Sequence, residues 1–322
     1  MKAIVVHAAG GPEMLGLEQV AEPSPGAGEL LVDVESAGLN FIDTYQRGGL
    51  YPLDFPFTPG QEGAGTVAAV GDGVTEFSVG DRVAWVNVLG TYAEKHVVPA
   101  EKAIPIPDGL ETGLVAAVLL QGITAHYLAN DTFPLQQGDR CLIHAAAGGV
   151  GLLLTQIAAM KGAMIITTVG TPEKAELSRA AGADEVIVYS EVDFKEEVEK
   201  MIGPHNMDVV FDGVGAATFD KGLDLLRPRG MMVTFGNSSG PVPEIRPLIL
   251  AEKGSIFLTR PTMAHYIQTR DELLSRATNL FDWISAGTLE VRIGHEYPLA
   301  QAADAHRALE GRETTGKVLL HP

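Results

Sequence analysis

The segment from Asp139 to Lys174 constrains this chain more than any other. It opens on a short apolar run, Cys141-Leu142-Ile143, set behind the turn residues Gly138-Asp139. A glycine turn follows, Ala146-Ala147-Gly148-Gly149-Val150-Gly151, then an apolar stretch from Leu152 to Met160 and a β-like run from Ala163 to Val169. Strand, glycine turn, helix and strand within about thirty residues is the setting that a dinucleotide-binding fingerprint requires. Gly148 lets the backbone approach a pyrophosphate closely, and Gly151 lets the helix lie tight on the strand. The helix start at Gly149 and Val150 offers N–H groups and a positive dipole end to the anion. Ala146 stands where the standard motif has its first glycine, so the flanking elements carry the reading more than the turn does.

The end of the second strand bears on which dinucleotide is bound. A site for NAD usually places a carboxylate there, about twenty residues past the turn, on the ribose 2′-hydroxyl. Here the strand ends Val169-Gly170-Thr171-Pro172-Glu173-Lys174. Gly170 leaves room for a 2′-phosphate and Lys174 supplies a positive charge, which points to NADPH. The alternative gives Glu173 the ribose and leaves Lys174 as a solvated lysine. Tyr189, at the end of the third strand, is placed to flank the same phosphate.

With 322 residues, 46% hydrophobic and 20% charged, the chain has the makeup of a soluble protein of two domains. A net charge of −18 without a basic tract argues against a nucleic-acid partner. The single cysteine, Cys141, excludes disulfides within the chain and a cysteine-rich zinc lobe. The N-terminus reads as a strand, Met1 to Val6, rather than a signal peptide or a membrane span, so a cytoplasmic location is expected.

Residues 1–120 are rich in short apolar runs divided by turns: Leu30–Val34, Gly65–Val70 and Arg82–Val86. After Leu110 the texture changes. Leu114–Leu120 and Thr124–Leu128 read as helices leading into the fingerprint strand. Strands and helices then alternate: Glu185–Tyr189, a helix around Phe194–Met201, Asp208–Asp212, a helix over Phe219–Leu226, Met231–Phe235 and Ser255–Thr259. The pattern predicts an α/β fold with a doubly wound parallel sheet, its ligand outside the carboxyl ends of the strands. A helix over Gln268–Ala286, a strand near His295 and a helix ending near Glu310 do not extend the alternation. They are expected to fold back onto the N-terminal domain, giving a discontinuous domain of residues 1–122 and 262–322 around a cofactor domain of residues 123–261.

Ser36 to Tyr45, Pro59 to Val67, Val79 to Val83 and Ala145 to Gly151 together resemble the medium-chain dehydrogenase/reductase superfamily. Asn40 to Tyr45, the glycine turn and Phe235 to Gly240 resemble, more narrowly, its zinc-free quinone oxidoreductases related to ζ-crystallin. The resemblance covers essentially the whole chain. It implies a Rossmann-type domain beside a β-rich GroES-like catalytic domain, NADPH as cofactor, a quinone as substrate, and a homodimer joined through the edge strand at Ser255–Thr259.

Zinc-dependent relatives have cysteine where this chain has Asn40, histidine where it has Gln61, and a third ligand near Gln121. An amide is a poor zinc ligand. The resemblance therefore places Asn40 and Tyr45 beside the substrate carbonyl, the alternative being that Asn40 is a loop amide capping backbone and Tyr45 only packs; Gln61 either orients substrate or satisfies backbone groups. Asp43 is read as a helix cap. Phe235, Asn237 and Ser238 are placed against the nicotinamide, and Arg312 is placed in a C-terminal segment that contacts cofactor, or on the surface. Two rival readings remain open. One is an enoyl or alkenal/one reductase with Tyr45 as proton donor; the other is a non-catalytic NADPH-binding protein, crystallin-like or RNA-associated.

Overall fold

A computed structural model describes all 322 residues, which divide into two compact units. The first comprises residues 1–123 and 267–322, the second residues 124–266.

In the first unit, β1 (Lys2–Val5) and β2 (Gly16–Gln19) form an antiparallel pair. Next comes β3 (Glu29–Leu39), whose burial alternates along much of its length before becoming continuous. The continuous end, Ser36–Leu39, is covered by β4 (Glu62–Val70) and by a strand from the C-terminal part. β3 pairs antiparallel with β4 and later strands, and its inner face meets Val67, Val83, Trp85 and Val98 in one core cluster. Between β3 and β4 lies the short helix α1 (Phe41–Arg47). Then follow β5 (Arg82–Val86), β6 (Lys95–Pro99) and β7 (Ile104–Pro105), with β5 on β4 and β6 on β3.

The two apolar runs expected as separate helices before the fingerprint are one. Helix α2 (Thr112–Tyr127) runs unbroken and passes into a π-helical turn, Leu128–Thr132. Nothing between Leu120 and Thr124 breaks it, because Gly122 is tolerated where a Cβ would press on Leu280 at 2.9 Å. The stretch is long and apolar enough to cross a membrane, yet 78% of its apolar window is buried inside the protein, as a core helix requires.

The second unit alternates strictly: β8 (Arg140–His144), α3 (Gly149–Met160), β9 (Met164–Val169), α4 (Pro172–Ala180), β10 (Glu185–Val188), α5 (Phe194–Ile202), β11 (Met207–Asp212), α6 (Phe219–Leu225), β12 (Leu226–Thr234), α7 (Leu248–Glu252) and β13 (Phe257–Thr259). All six strands are parallel, in the order β10-β9-β8-β11-β12-β13. This is the doubly wound order, and the chain reverses direction across the sheet between β8 and β11. One face carries Leu142, Ile166, Val210 and Met232 against Phe194, Val198, Phe219 and Leu223. β13 is the free edge, with Phe257 57% and nearby Leu248 59% exposed.

The C-terminal part returns to the first unit as α8 (Arg270–Ser285), β14 (Ile293–Pro298), α9 (Ala302–Glu310) and β15 (Lys317–His321). β15 pairs antiparallel with the end of β3, Val318 opposite Leu39, and adds Val318 and Leu320 to a cluster with Ile4, Leu39, Tyr92 and Ala305. The unit boundary falls at Ile267 rather than at residue 262. Tyr266 explains the shift: it stacks on Tyr127 with ring centroids 4.1 Å apart and accepts a hydrogen bond from Thr132 at 2.9 Å.

Candidate active site

The glycine turn sits at the carboxyl end of β8. Ala145 adopts φ 54°, in the left-handed region, and the Gly148 N–H closes the turn on the Ala145 carbonyl at 3.0 Å. The strained position thus falls one residue before Ala146, which explains how alanine replaces the first glycine of the motif. Gly148 is the N-cap of α3, and no side chain caps the helix, so its first-turn amides have no side-chain acceptor. A Cβ on Gly151 would lie 2.4 Å from the Ala145 carbonyl oxygen and 2.6 Å from the Ala146 Cα. On Gly148 it would meet only the Ala145 oxygen, at 3.2 Å. Gly151 is therefore a packing requirement and Gly148 an open face. Cys141, in the same strand, is fully buried, and burial pushes its thiol far up, so it is an inert core residue.

Gly170 and Tyr189 meet at the ends of β9 and β10. A Cβ on Gly170 would come 2.9 Å from the Tyr189 hydroxyl, so the glycine gives the tyrosine its place. Lys174 lies in the first turn of α4, its N–H donating to the capping Thr171 Oγ1 at 3.3 Å. Glu173 hydrogen-bonds its own backbone N–H and the Thr171 side chain, which hold its carboxyl below the usual range. The carboxylate is exposed in the first turn of its own helix.

The loops after β11 and β12 are fastened to each other. Asp212 Oδ1 accepts from the N–H groups of Val214 and Gly215 at 2.7 and 3.1 Å and from Thr218 Oγ1 at 2.9 Å. The Phe235 N–H donates to the Asp212 carbonyl at 2.8 Å, and Ser238 N–H reaches the Gly213 carbonyl at 3.4 Å. Gly236 packs so close that a Cβ would stand 2.3 Å from the Gly213 oxygen. Phe235, Asn237 and Ser238 therefore belong to one built surface at the strand ends. Asp212, which ties it together, is a residue that sequence reasoning missed; its one signal is the carboxylate that ends a buried strand before Gly213-Val214-Gly215.

In the first unit, α1 carries Tyr45 and is held at both ends. At its start the Asn40 N–H donates to Asp43 Oδ2 at 2.9 Å while the Asp43 N–H donates to the Asn40 carbonyl at 3.1 Å. At its end Arg47 makes a forked pair with Glu310 (2.6 and 3.2 Å) and donates to His306 Nδ1 at 2.9 Å. Asn40 is 4% exposed. Its two amide hydrogens go to Glu62 Oε1 at 2.9 Å and the Gly38 carbonyl at 3.2 Å, and its Oδ1 accepts from Lys317 Nζ at 3.0 Å. This differs from the expectation of a carbonyl-positioning amide, because both donors are already committed inside the protein. Gln61, 6% exposed, donates to Gln46 Oε1 at 3.2 Å, a side-chain partner rather than a backbone one. Tyr45 lies between two aromatic rings, Phe41 at 6.1 Å and Tyr51 at 5.4 Å between centroids, the latter edge-on. Neither Phe41 nor Tyr51 was picked out by the sequence. Arg312 follows α9 in the first unit with φ 60°, its N–H bonded to the Leu309 carbonyl.

Asp43 caps α1 and also accepts the Tyr92 hydroxyl at 2.9 Å. Burial raises its carboxyl to about 6, against the Asn40 N–H, the Tyr92 hydroxyl and the Lys317 charge, which hold it down. A carboxyl raised by folding binds its proton more tightly in the folded chain, so stability falls as pH rises from the unfolded value near 4 through about 6. In Asp43→Asn the amide oxygen accepts both bonds and nothing titrates. The melting temperature of this variant relative to the unsubstituted protein is expected to rise from about pH 4.5 to about pH 7. Parallel profiles across that window would contradict the assignment.

A six-stranded doubly wound sheet with a glycine turn at its switch point, together with a mainly antiparallel first unit that holds a buried polar cluster, defines the medium-chain dehydrogenase/reductase class. Two family models agree: the alcohol dehydrogenase GroES-like domain over residues 26–108 and zinc-binding dehydrogenase over residues 149–282. The quinone oxidoreductase of Pseudomonas aeruginosa is 45% identical over 100% of this chain and 99% of its own length. The crystal structure of Escherichia coli quinone oxidoreductase complexed with NADPH superposes with a TM-score of 0.98 at 42% identity, all of both chains covered. The 2-haloacrylate reductase of a Burkholderia species is 42% identical over 99% of this chain and 98% of its own. The chain belongs to the quinone oxidoreductase family of that superfamily.

One of the matched family descriptions names zinc, and the residues present do not suit it. Asn40 and Gln61 offer amides, and the oxygen of Asn40 already accepts an ammonium. No three His, Cys, Asp or Glu side chains stand together as a metal-binding group.

Proposed function

We propose that this chain transfers hydride from NADPH to a quinone or a related conjugated carbonyl without a metal. The observation that carries the reading is the Lys317 ammonium on Asn40 Oδ1: the side chain at this position serves an internal cation and has no Lewis acid to offer a substrate. A quinone is electron-poor enough to accept hydride unaided, so the protein needs to supply orientation and exclusion of water.

The second unit suits the cofactor. The open face at Gly148, the uncapped amides of Gly149, Val150 and Gly151, and the tight Ala146 turn would hold the pyrophosphate. Lys174 and Tyr189, around Gly170, would take the 2′-phosphate. Phe235, Asn237 and Ser238 would line the nicotinamide. Bound NADPH supplies the hydride. The Phe41-Tyr45-Tyr51 rings offer a flat conjugated substrate an aromatic wall, and Tyr45 is the group placed to donate to its carbonyl. Asn40 and Gln61 shape this subsite through the bonds they make within the protein. The proposed working form is a cytoplasmic homodimer joined along β13, where Phe257 and Leu248 are exposed. Oxidation of NADPH by the protein with 1,4-benzoquinone and 9,10-phenanthrenequinone tests the reading, and no consumption with either acceptor overturns it.

A second reading, reduction of a conjugated C=C bond, is favoured by the name of the Burkholderia relative, a 2-haloacrylate reductase. There hydride goes to one carbon and a proton to its neighbour, and Tyr45 is the visible donor. Tyr45→Phe separates the two. Loss of one neutral hydrogen bond of about 1 kcal/mol should lower quinone turnover only about fivefold, whereas loss of a general acid should lower enone turnover about 100-fold or more. An equal effect on both acceptors would exclude Tyr45 as the specific acid.

A further inference from the structure

Lys317 is the one fully buried lysine in a protein with 23 lysines and arginines, 1% exposed, and it forms an ion pair with Glu62, which is 0% exposed. Burying two charges is costly in water-free surroundings, and such a pair is weak evidence of stability alone. What the pair touches suggests another reason for it. Lys317 Nζ donates to Glu62 and, at 3.0 Å, to Asn40 Oδ1. Glu62 Oε1 in turn accepts the Asn40 amide at 2.9 Å, and Glu62 Oε2 accepts the Leu120 N–H. Asn40 is thus gripped at both ends of its amide, oxygen by the cation and nitrogen by the anion, so it has one orientation. A 180° flip would set its oxygen against a carboxylate and its NH₂ against an ammonium.

The three residues come from three distant segments: Asn40 from the cap of α1, Glu62 from the first residue of β4, next to Gln61, and Lys317 from the first residue of β15. They close at the N-terminus of the short helix that carries Phe41 and Tyr45. Gly38 is part of the same fit, since a Cβ there would lie within 2.7 Å of three Glu62 side-chain atoms. Burial pushes the Lys317 ammonium down from the ordinary lysine range and the Asp43 carboxylate draws it back, so the charge depends on its anionic neighbours.

We propose that Lys317 and Glu62 are positioning residues for the reaction: their ion pair fixes the Asn40 amide, and through it the start of α1, so that Tyr45 and the aromatic wall face the substrate in one arrangement. The proposal rests on the reading that residues 40 and 45 line the substrate subsite. In this chain an ammonium, not a metal, is the cation bound to the side chain at position 40.

The test is a double-mutant cycle in the full-length protein. One arm neutralises the pair together, Lys317→Met with Glu62→Gln, because removing one charge alone would strand the other in the interior. The second arm is Asn40→Ala, and the third combines them. Each is measured for melting temperature, for NADPH affinity by nicotinamide fluorescence, and for kcat and KM with 1,4-benzoquinone. Misplacement of a substrate-facing group by about 1 Å can cost about 100-fold, so the neutral pair should lower kcat about 10-fold or more with NADPH affinity within about twofold. The combination should be no slower than Asn40→Ala, because both act through the same amide. Effects that multiply, or a neutral pair with unchanged kcat, overturn the proposal. An Asn40→Ala protein with unchanged kcat and KM instead overturns the subsite reading. If the neutral pair does not fold, the unsubstituted protein still decides. The Asn40 side-chain amide protons should exchange with solvent far more slowly than those of an exposed asparagine, whereas fast exchange overturns the lock.

Discussion

Gly151→Val is expected to abolish NADPH binding while leaving the first unit folded. The new Cβ would stand 2.4 Å from the Ala145 carbonyl and 2.6 Å from the Ala146 Cα, and both are backbone atoms that cannot rotate away. Either α3 lifts from β8 or the turn opens. In both cases the first-turn amides leave the place where they meet the pyrophosphate. Two charge-assisted hydrogen bonds at about 1.5–3 kcal/mol each correspond to about 100-fold or more in the dissociation constant. Overpacking of this kind also costs about 1–3 kcal/mol of stability, so the second unit should melt earlier. Gly148→Ala is the informative companion. Its Cβ meets only one atom, at 3.2 Å, so it should keep the melting temperature and lose affinity by encroaching on the phosphate side. Isothermal titration of both variants with NADPH checks the pair. Affinity in Gly151→Val equal to that of the unsubstituted protein would contradict the turn as the pyrophosphate cradle.

Lys174→Ala should weaken NADPH about 10-fold or more, the value of one charge-assisted bond, and leave NADH almost unchanged. The lysine is half-buried in the first turn of α4, so its attraction to a 2′-phosphate is partly screened and the effect should shrink as salt rises. Near it, Gly170 makes room and Tyr189 flanks, while Glu173 is exposed in the first turn of the same helix. The measurement is the ratio of the NADPH and NADH dissociation constants at two ionic strengths. Equal losses for both nucleotides would refute the 2′-phosphate assignment and return Glu173 to consideration as the ribose ligand.

The cofactor half of the fold was legible because its signals are local. The central parallel strands are buried on both faces, so each appears as an unbroken apolar run between turn residues, and Cys141–His144, Ile165–Val169 and Val209–Asp212 all read that way. Gly151 marks backbone packed on backbone, a constraint a sequence displays directly. The first unit was harder. The pairs of β3 with β15 and of Lys317 with Glu62 join residues far apart in the chain, and no periodicity announces them. A lysine at the head of a C-terminal strand looks like any solvated lysine until Glu62 is found opposite it. The same holds for the unit boundary, which moved because Tyr266 stacks on Tyr127. Asn40 illustrates the remaining gap. Its position was singled out by motif, but whether its amide serves substrate or protein depended on two partners that only the folded chain brings together.

The central step is hydride passing from NADPH to a quinone with no metal between them. Anaerobic rapid mixing of the protein and one equivalent of NADPH with one equivalent of 1,4-benzoquinone follows that step within a single turnover. Loss of the reduced-nicotinamide absorbance should occur with one hydroquinone formed per NADPH, and more slowly when the transferred C4 hydrogen is deuterium. NADPH that persists in the mixture, decaying no faster than it does without the protein, would contradict it.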